Sequence, residues 1–400
     1  MSTKKKKITL GASEKSFITA IVVIFLMMVL TYGLTFIIPG GGIPFWKWIL
    51  SPVLVLFGED NGSLIAIIAL LVVLGGLFNT LDKFGILRLL LDKITSRFGK
   101  QRRLLLAVIP LFFMVLGSAA GSFEECVPLV PVVVALAVRL GWDVLTGLGM
   151  SVLAVGCGFA AGVCNPFTIG VAQELAGLPM FSGMWLRAVS FVCIYLALMC
   201  FLFRHAKKVE KPMEAQMFET GKQQKGITNI AYSSGSRFWK ISLTFKDGVV
   251  SVLPGVLLIL MANSIRFTMM EGNILDPILQ GAIALADGLP RWSVILFIYG
   301  MVLVLNFFIP SGSAKAFLLM PLIVPLAQAF DISAQLCVMA FAFGDGFSNV
   351  FYPTNPVLLI SLGLANTSYG DWAKWSGKFQ LLNIFLTSGL LLFGLAIGYC

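Results

Sequence analysis

Residues 344–356 read GDGFSNVFYPTNP. One acid, two asparagines, a serine, a threonine, two glycines and two prolines fall here inside a run otherwise apolar enough to sit in lipid. Each unsatisfied backbone group in hydrocarbon costs roughly several kcal/mol, so broken backbone persists only where protein buries it or where it lines a wet cavity. Asn355-Pro356 reads as a helix start. Asn is a good N-cap, and Pro fits the first helical position because its missing N–H has no partner to lose there. The glycines at 344 and 346 let the chain unwind and turn carbonyls toward a cation.

The chain around this stretch is that of a polytopic α-helical membrane protein. Of 400 residues, 58% are hydrophobic and 12% charged, with mean hydropathy +0.93. Apolar runs lie at 17–38, 63–80, 184–203, 248–262, 291–309 and 378–398, several reaching the roughly 20 residues that cross a bilayer as helix. The alternating ten-residue segments of a β-barrel are absent. MSTKKKK and the run after it form an uncleaved first span: the run is longer than a signal h-region, and no small-x-small site follows. Cysteines 126, 157, 164, 193, 200, 337 and 400 stand singly, which argues against disulfides and zinc. The single histidine, His205, argues against a histidine-ligated metal enzyme. The net charge of +10 reports topology rather than nucleic-acid binding.

Cytoplasmic loops are enriched in Lys and Arg. With the N-terminus (1–16) inside, the first span and outer segment cover 17–62, and the span at 63–80 returns. If 103–140 is a re-entrant hairpin, entering and leaving on the cytoplasmic side, 24 of the 29 Lys/Arg fall inside. Lys47, Arg187, Arg266 and Arg291 fall outside, and Lys315 sits at a second hairpin tip. The basic segment 205–246 then divides the protein on the inside, and the C-terminus lies outside.

The two halves, 63–204 and 247–400, resemble each other. GSAAGSFEECVPLVP (117–131), GCGF (156–159), Asn165-Pro166 and GMWLR (183–187) match PSGSAKAFLLMPLIVP (310–325), GDGF (344–347), Asn355-Pro356 and GDWAK (370–374), at offsets of 193, 188, 190 and 187. The threading makes them an inverted-topology repeat, an architecture of secondary transporters. Each half holds a span, an amphipathic arm (82–98 and 272–287), a hairpin (103–140 and 291–330), an interrupted span (142–177 and 332–367) and a closing span.

The two interruptions and the two hairpin tips point four helix ends at the bilayer midplane. Free N–H groups and positive dipole ends there suit carboxylates or other anions. Ser122, Asn165, Thr168, Ser311, Ser313, Asn349, Thr354 and Asn355 are the candidate hydrogen-bonding residues for such a solute. Acids at this depth are functional candidates by default: Glu124, Glu125 and Asp345. Ser122-x-x-Glu125 is also a capping box. Asp345 can carry a proton, pair with a substrate amine, or help hold Na⁺ near Gly344 and Ser348. Lys315 can pair with an acid, meet a substrate carboxylate, or snorkel to water. Phe317, Leu319 and Met320 read as packing.

With hairpins and breaks in view, the chain resembles the YfcC family, grouped with the four-carbon-dicarboxylate anaerobic carriers (a DcuC-like group) in the ion transporter superfamily. The resemblance is strongest at GSFEECVPLVP, GVCNPFTIGVAQELAGLP, NFFIPSGSAKAFLLMPLIVPLA and FAFGDGFSNVFYPTNPVLLISLG. It implies a secondary transporter of the bacterial inner membrane, a homodimer working by an elevator motion. It also implies site roles for Glu124, Glu125, Asn165, Pro166, Ser311, Ser313, Asp345, Asn349, Thr354 and Asn355. Some members are associated with arginine/ornithine exchange, while the family name suggests dicarboxylates. Lys315 departs from the pattern, where a neutral residue is expected.

The expected function is secondary active transport, by antiport or by Na⁺ or H⁺ symport, of a small carboxylate-bearing metabolite. An amino acid such as arginine or ornithine fits a site that offers both helix ends and acids; a dicarboxylate is the alternative. An ion channel is a weaker reading, because two interrupted spans suit a carrier. An intramembrane aspartyl protease fails, since Ala342-Phe343-Gly344-Asp345 lacks the first glycine of GxGD and no second span supplies a Tyr-Asp partner. No cofactor and no resident metal are expected.

Overall fold

The computed structural model describes residues 14–38, 42–58, 101–121, 123–210, 237–286 and 288–400, with isolated helical positions between 64 and 93. Apart from Lys93, the arm expected at 82–98 lies outside the described residues, as do residue Ser122 and the side chains of Glu124 and Glu125. Among the described residues every regular element is helical. Among the described residues, five helical stretches are long and apolar enough to cross a membrane: Arg102–Ala120, Val144–Leu175, Met184–Val209, Arg291–Phe308 and Tyr369–Ala396.

Two helices form a flank. α1 (Glu14–Ile37) packs along α8 (Arg237–Glu271). They run in the same direction: Thr35 lies against Gly272, and Lys47 pairs with Glu271. Ile24, Met28, Trp48, Met261, Ala262 and Ile265 bury their seam, and the Trp48 indole donates to the Met28 carbonyl at 3.0 Å. The basic segment is shorter than the charge pattern suggested. α7 (Met184–Val209) continues through 205–209, and α8 starts at Arg237. Both helix ends carry charges into water, which propensity tolerates once an apolar span has nucleated the helix.

α7 and α14 (Tyr369–Ala396) are antiparallel. The rings of His205 and Trp375 lie 5.2 Å apart at one end, and Tyr399 donates to the Gly183 carbonyl at 2.5 Å at the other. On α7, Trp185, Val189, Val192 and Leu196 are exposed while Leu186, Ser190, Ile194 and Leu198 are buried. An apolar outer face at helical spacing is the signature of a helix solvated by lipid.

Two helical reversals have their open ends near opposite ends of these helices. The first runs from α2 (Arg102–Val115) through Gly121, at φ +65°, to α3 (Val130–Arg139). Both of its ends meet the Glu210 end of α7: Arg102 pairs with Glu210, and His205 Nε2 lies 3.0 Å from Asp143. After α9 (Leu275–Ala286), the second runs from α10 (Arg291–Phe308) to α11 (Gly312–Ala329). Its two ends meet each other, where Arg291 donates to the Asp331 carbonyl, and Ser333 there donates to the carbonyl of Tyr399.

Each reversal leads into an interrupted segment at the centre. α4 (Val144–Leu148) runs through a π turn into α5 (Ala154–Ala161), and after the break come a second π turn and α6 (Val171–Leu175). In the second half, α12 (Ala334–Asn349) precedes the break and α13 (Pro356–Leu364) follows it. The most apolar part of Val144–Leu175 is 89% buried, against 33–44% for the other four long stretches, and every residue from Gln335 to Asn349 is buried. These segments face protein rather than lipid, and α5 crosses α12.

One expectation is corrected here. The chain does not unwind at Gly156, Gly158, Gly344 or Gly346, all of which lie within helix; it opens later, at 162–165 and 350–355. The glycines serve close packing. A Cβ added at Gly346 would stand 2.2 Å from the Cα of Ala160, and one at Gly158 would stand 2.0 Å from the Met114 carbonyl oxygen.

Candidate functional site

The two breaks are built alike. At the first, α5 ends on Gly162 in the left-handed region, at φ +46°. Asn165 then caps the next half-helix: its Oδ1 accepts from the N–H of Phe167 at 2.9 Å and of Thr168 at 3.3 Å. At the second, Asn355 Oδ1 accepts from Val357 at 2.9 Å and Leu358 at 3.2 Å. Pro166 and Pro356 stand at the first helical position. The helix starts expected from the two Asn-Pro pairs are where the sequence placed them.

The hairpin tips pack onto these breaks. Ser118 accepts from the Val163 N–H at its hydroxyl (3.0 Å) and from the Cys164 N–H at its carbonyl (3.2 Å). Gly121 carries no side chain because a Cβ there would meet Asn165 Oδ1 at 2.3 Å. The second tip lies against both halves: a Cβ on Gly312 would stand 2.5 Å from Thr168 Cγ2 and 2.6 Å from Asp345 Oδ2. Thus Asn165, Thr168, the start of α11 and Asp345 form one connected centre. Ser311 holds the N-cap position of α11 without using its hydroxyl as a cap, and both Ser311 and Ser313 are half-buried.

At this centre Lys315 Nζ meets Asp345 Oδ1 at 2.7 Å, and neither side chain has any exposure. Asn306 joins them. Its Oδ1 accepts from Lys315, and its amide nitrogen donates to the Asp345 carbonyl (3.1 Å), Ser348 Oγ (2.5 Å) and Asn349 Oδ1 (3.1 Å). Asn349 in turn donates to Asp345 Oδ1 at 3.2 Å and accepts from Asn355 at 3.1 Å. Sequence reasoning passed over Asn306, whose one signal was an amide inside an apolar span.

Among the described residues, four buried polar atoms around this network have no hydrogen-bond partner: Asn165 Nδ2, Thr168 Oγ1, Asp345 Oδ2 and Thr354 Oγ1. Most buried polar groups in proteins are paired, so a cluster of unpaired ones beside two capped helix starts makes this the candidate site.

A second buried polar group was also unforeseen. Arg187, without exposure, donates to the carbonyls of Val163 (3.3 Å) and Ser182 (2.9 Å), and lies 3.5 Å from Gln335 Oε1 and the Tyr399 hydroxyl. Gln173 donates to Gln335 at 3.1 Å. The guanidinium thereby ties the carbonyl end of the first break to α7, α12 and the C-terminus, a favourable position for a cation.

Fold and centre together define a multi-pass helical membrane protein whose interrupted helices enclose a charged, polar interior. The model of the C4-dicarboxylate anaerobic carrier (DcuC) family matches residues 59–231 and 225–396, and the chain belongs to that family of carriers. A relative from Escherichia coli (strain K12), named "Putative basic amino acid antiporter YfcC", is 26% identical over 408 residues, covering 86% of this chain and 80% of its own. An uncharacterized protein of Haemophilus influenzae is 20% identical over 371 residues, covering 79% of this chain and 73% of its own. Among solved structures, the Alcanivorax borkumensis YdaH transporter aligns at 14% identity and TM-score 0.49, over 95% of this chain and 99% of that one.

Proposed function

We propose that this chain is a secondary active transporter of a small carboxylate-bearing metabolite, an amino acid such as arginine or ornithine, in the bacterial inner membrane. The observation that carries the reading is the pair of Asn-Pro helix starts with unpartnered Asn165 Nδ2, Thr168 Oγ1 and Thr354 Oγ1 beside them. Helix N-termini with spare donors suit a carboxylate. The name of the Escherichia coli relative supports the amino-acid choice.

A four-carbon dicarboxylate is the second reading. It is favoured by the engagement of Asp345 with Lys315, which removes one acid from the set available to a substrate amine, and by the family's name.

The mechanism we infer is an elevator motion of a homodimer, with two re-entrant hairpins in an inverted repeat. The meeting of Arg102 with Glu210 and of Arg291 with Asp331, at opposite ends of α7, supports the hairpins and their opposed entry. The basic Arg102 end is the cytoplasmic one, with the C-terminus outside.

Proteoliposomes loaded with labelled arginine and challenged with ornithine, aspartate and succinate test the reading. Saturable counterflow driven by ornithine is expected. Competition by succinate alone sinks the amino-acid choice, and flux without saturation or exchange sinks the carrier.

A further inference from the structure

We propose that the Lys315 ammonium is a tethered cation that permanently fills a cation site, so that the solute is carried without sodium. The inference rests on the transporter reading and concerns which ion that site uses.

An ammonium has three donors and no acceptor. At Lys315 all three are met by oxygen: Asp345 Oδ1 at 2.7 Å, the Ile309 carbonyl at 3.2 Å, and Asn306 Oδ1. A carboxylate, a backbone carbonyl and an amide oxygen are the donor types that hold hard cations. They come from two elements. Asn306 lies on α10, Ile309 at the reversal just past its end, and Asp345 on α12.

The cage is fixed from outside. Asn306 spends its amide nitrogen on Asp345 O, Ser348 Oγ and Asn349 Oδ1, which turns its Oδ1 toward Lys315. Asn349 holds Asp345 Oδ1 from the other side at 3.2 Å. With its donors taken, Lys315 has none left for a substrate carboxylate. The Na⁺ expected near Gly344, Asp345 and Ser348 meets the same difficulty. Ser348 Oγ donates to the Gly344 carbonyl at 2.5 Å, and although Asp345 Oδ2 has no partner, the carboxylate's charge is already balanced by Lys315 at Oδ1.

Among the described residues the first half shows no such cage, and Cys157 stands where the repeat offset places Asp345. The sequence feature that departs from the resemblance, a lysine in place of a neutral residue, is therefore the ion itself. A sodium ion and this ammonium are alternative occupants of one set of oxygens.

The test is a thermal-shift titration of the purified full-length protein with NaCl, against KCl and choline chloride. Wild type is expected to show no sodium-specific shift, and its uptake in proteoliposomes to survive replacement of sodium by choline. Lys315→Met leaves the oxygens unoccupied and is expected to gain a saturable, sodium-specific rise in melting temperature, which Lys315→Met/Asp345→Asn lacks. A sodium-specific shift in wild type, or a folded Lys315→Met with no sodium response, overturns the proposal. If Lys315→Met does not fold in either salt, the wild-type titration decides alone. The shift is read without transport, so a protein that moves no solute but behaves in this way sinks the proposed function and leaves the cation site standing.

Discussion

Gly346 of α12 lies directly against Ala160 of α5, so close that an added Cβ would stand 2.2 Å from the Ala160 Cα and 2.3 Å from its nitrogen. Both neighbours are backbone, and neither can swing aside. The two interrupted segments therefore cross at a point where only glycine fits. Gly346→Ala is expected to push the segments apart and destabilise the protein by about 1–3 kcal/mol, the usual range for overpacking. Gly370→Ala, where the nearest atom is 3.9 Å away, is the control. Melting temperature in detergent separates them, and equal behaviour of the two variants would contradict the crossing.

Asp345 and Lys315 neutralise each other without solvent. Removing one partner of a buried pair strands the other, typically at about 3–5 kcal/mol, whereas replacing both with apolar or neutral groups is often near neutral. Asp345→Asn is thus expected to lower the melting temperature and to abolish or uncouple transport. Lys315→Met/Asp345→Asn should recover much of the stability without recovering normal transport. A double variant no more stable than the worse single would show that the pair's contribution is not mutual charge compensation.

The breaks and caps were legible because Asn-Pro carries local information: both signals concern a residue's own backbone. What surrounds GDGF was misread for the opposite reason. Glycine permits unwinding and close packing alike, and only the distant partner decides between them. Ala160 is that partner for Gly346, and Met114 for Gly158. Lys315 and Asp345 are thirty residues apart, so the sequence left their pairing as one of three fates for the lysine. Arg187 looked like an outer-loop charge in the Lys/Arg pattern. Its burial depends on carbonyls at 163 and 182 that a broken helix and a turn leave free, which no local pattern shows.

Asn165 has two ends with different work. Its Oδ1 caps the half-helix, while its Nδ2 is buried without a partner. Asn165→Ala removes both and is expected to lose about 1 kcal/mol of stability together with a raised apparent KM. Asn165→Asp keeps the capping oxygen and loses the donor. It should hold stability near wild type while still raising KM for a carboxylate-bearing solute. An unchanged KM in Asn165→Asp would remove Asn165 from the solute site and leave it a cap.

Asp143 and His205 join the end of the first reversal to α7, 3.0 Å apart. Burial works to raise the Asp143 carboxyl, but hydrogen bonds from His205 and Thr146 outweigh it and hold the group below its ordinary value. A carboxyl depressed in the folded state stabilises the fold above its unfolded pKa, about 3.9, and that contribution fades as pH falls through the lower folded value. The Asp143 side chain is 35% exposed, so solvent screening limits the pair to about 1 kcal/mol or less. Asp143→Asn is therefore expected to melt about one or two degrees below wild type at pH 7, with the gap closing only below about pH 3.9. Melting curves of both proteins from pH 8 to pH 3 check this. A gap that closes well above about pH 3.9 would contradict a carboxyl held below its ordinary value and remove Asp143 as the source of the effect.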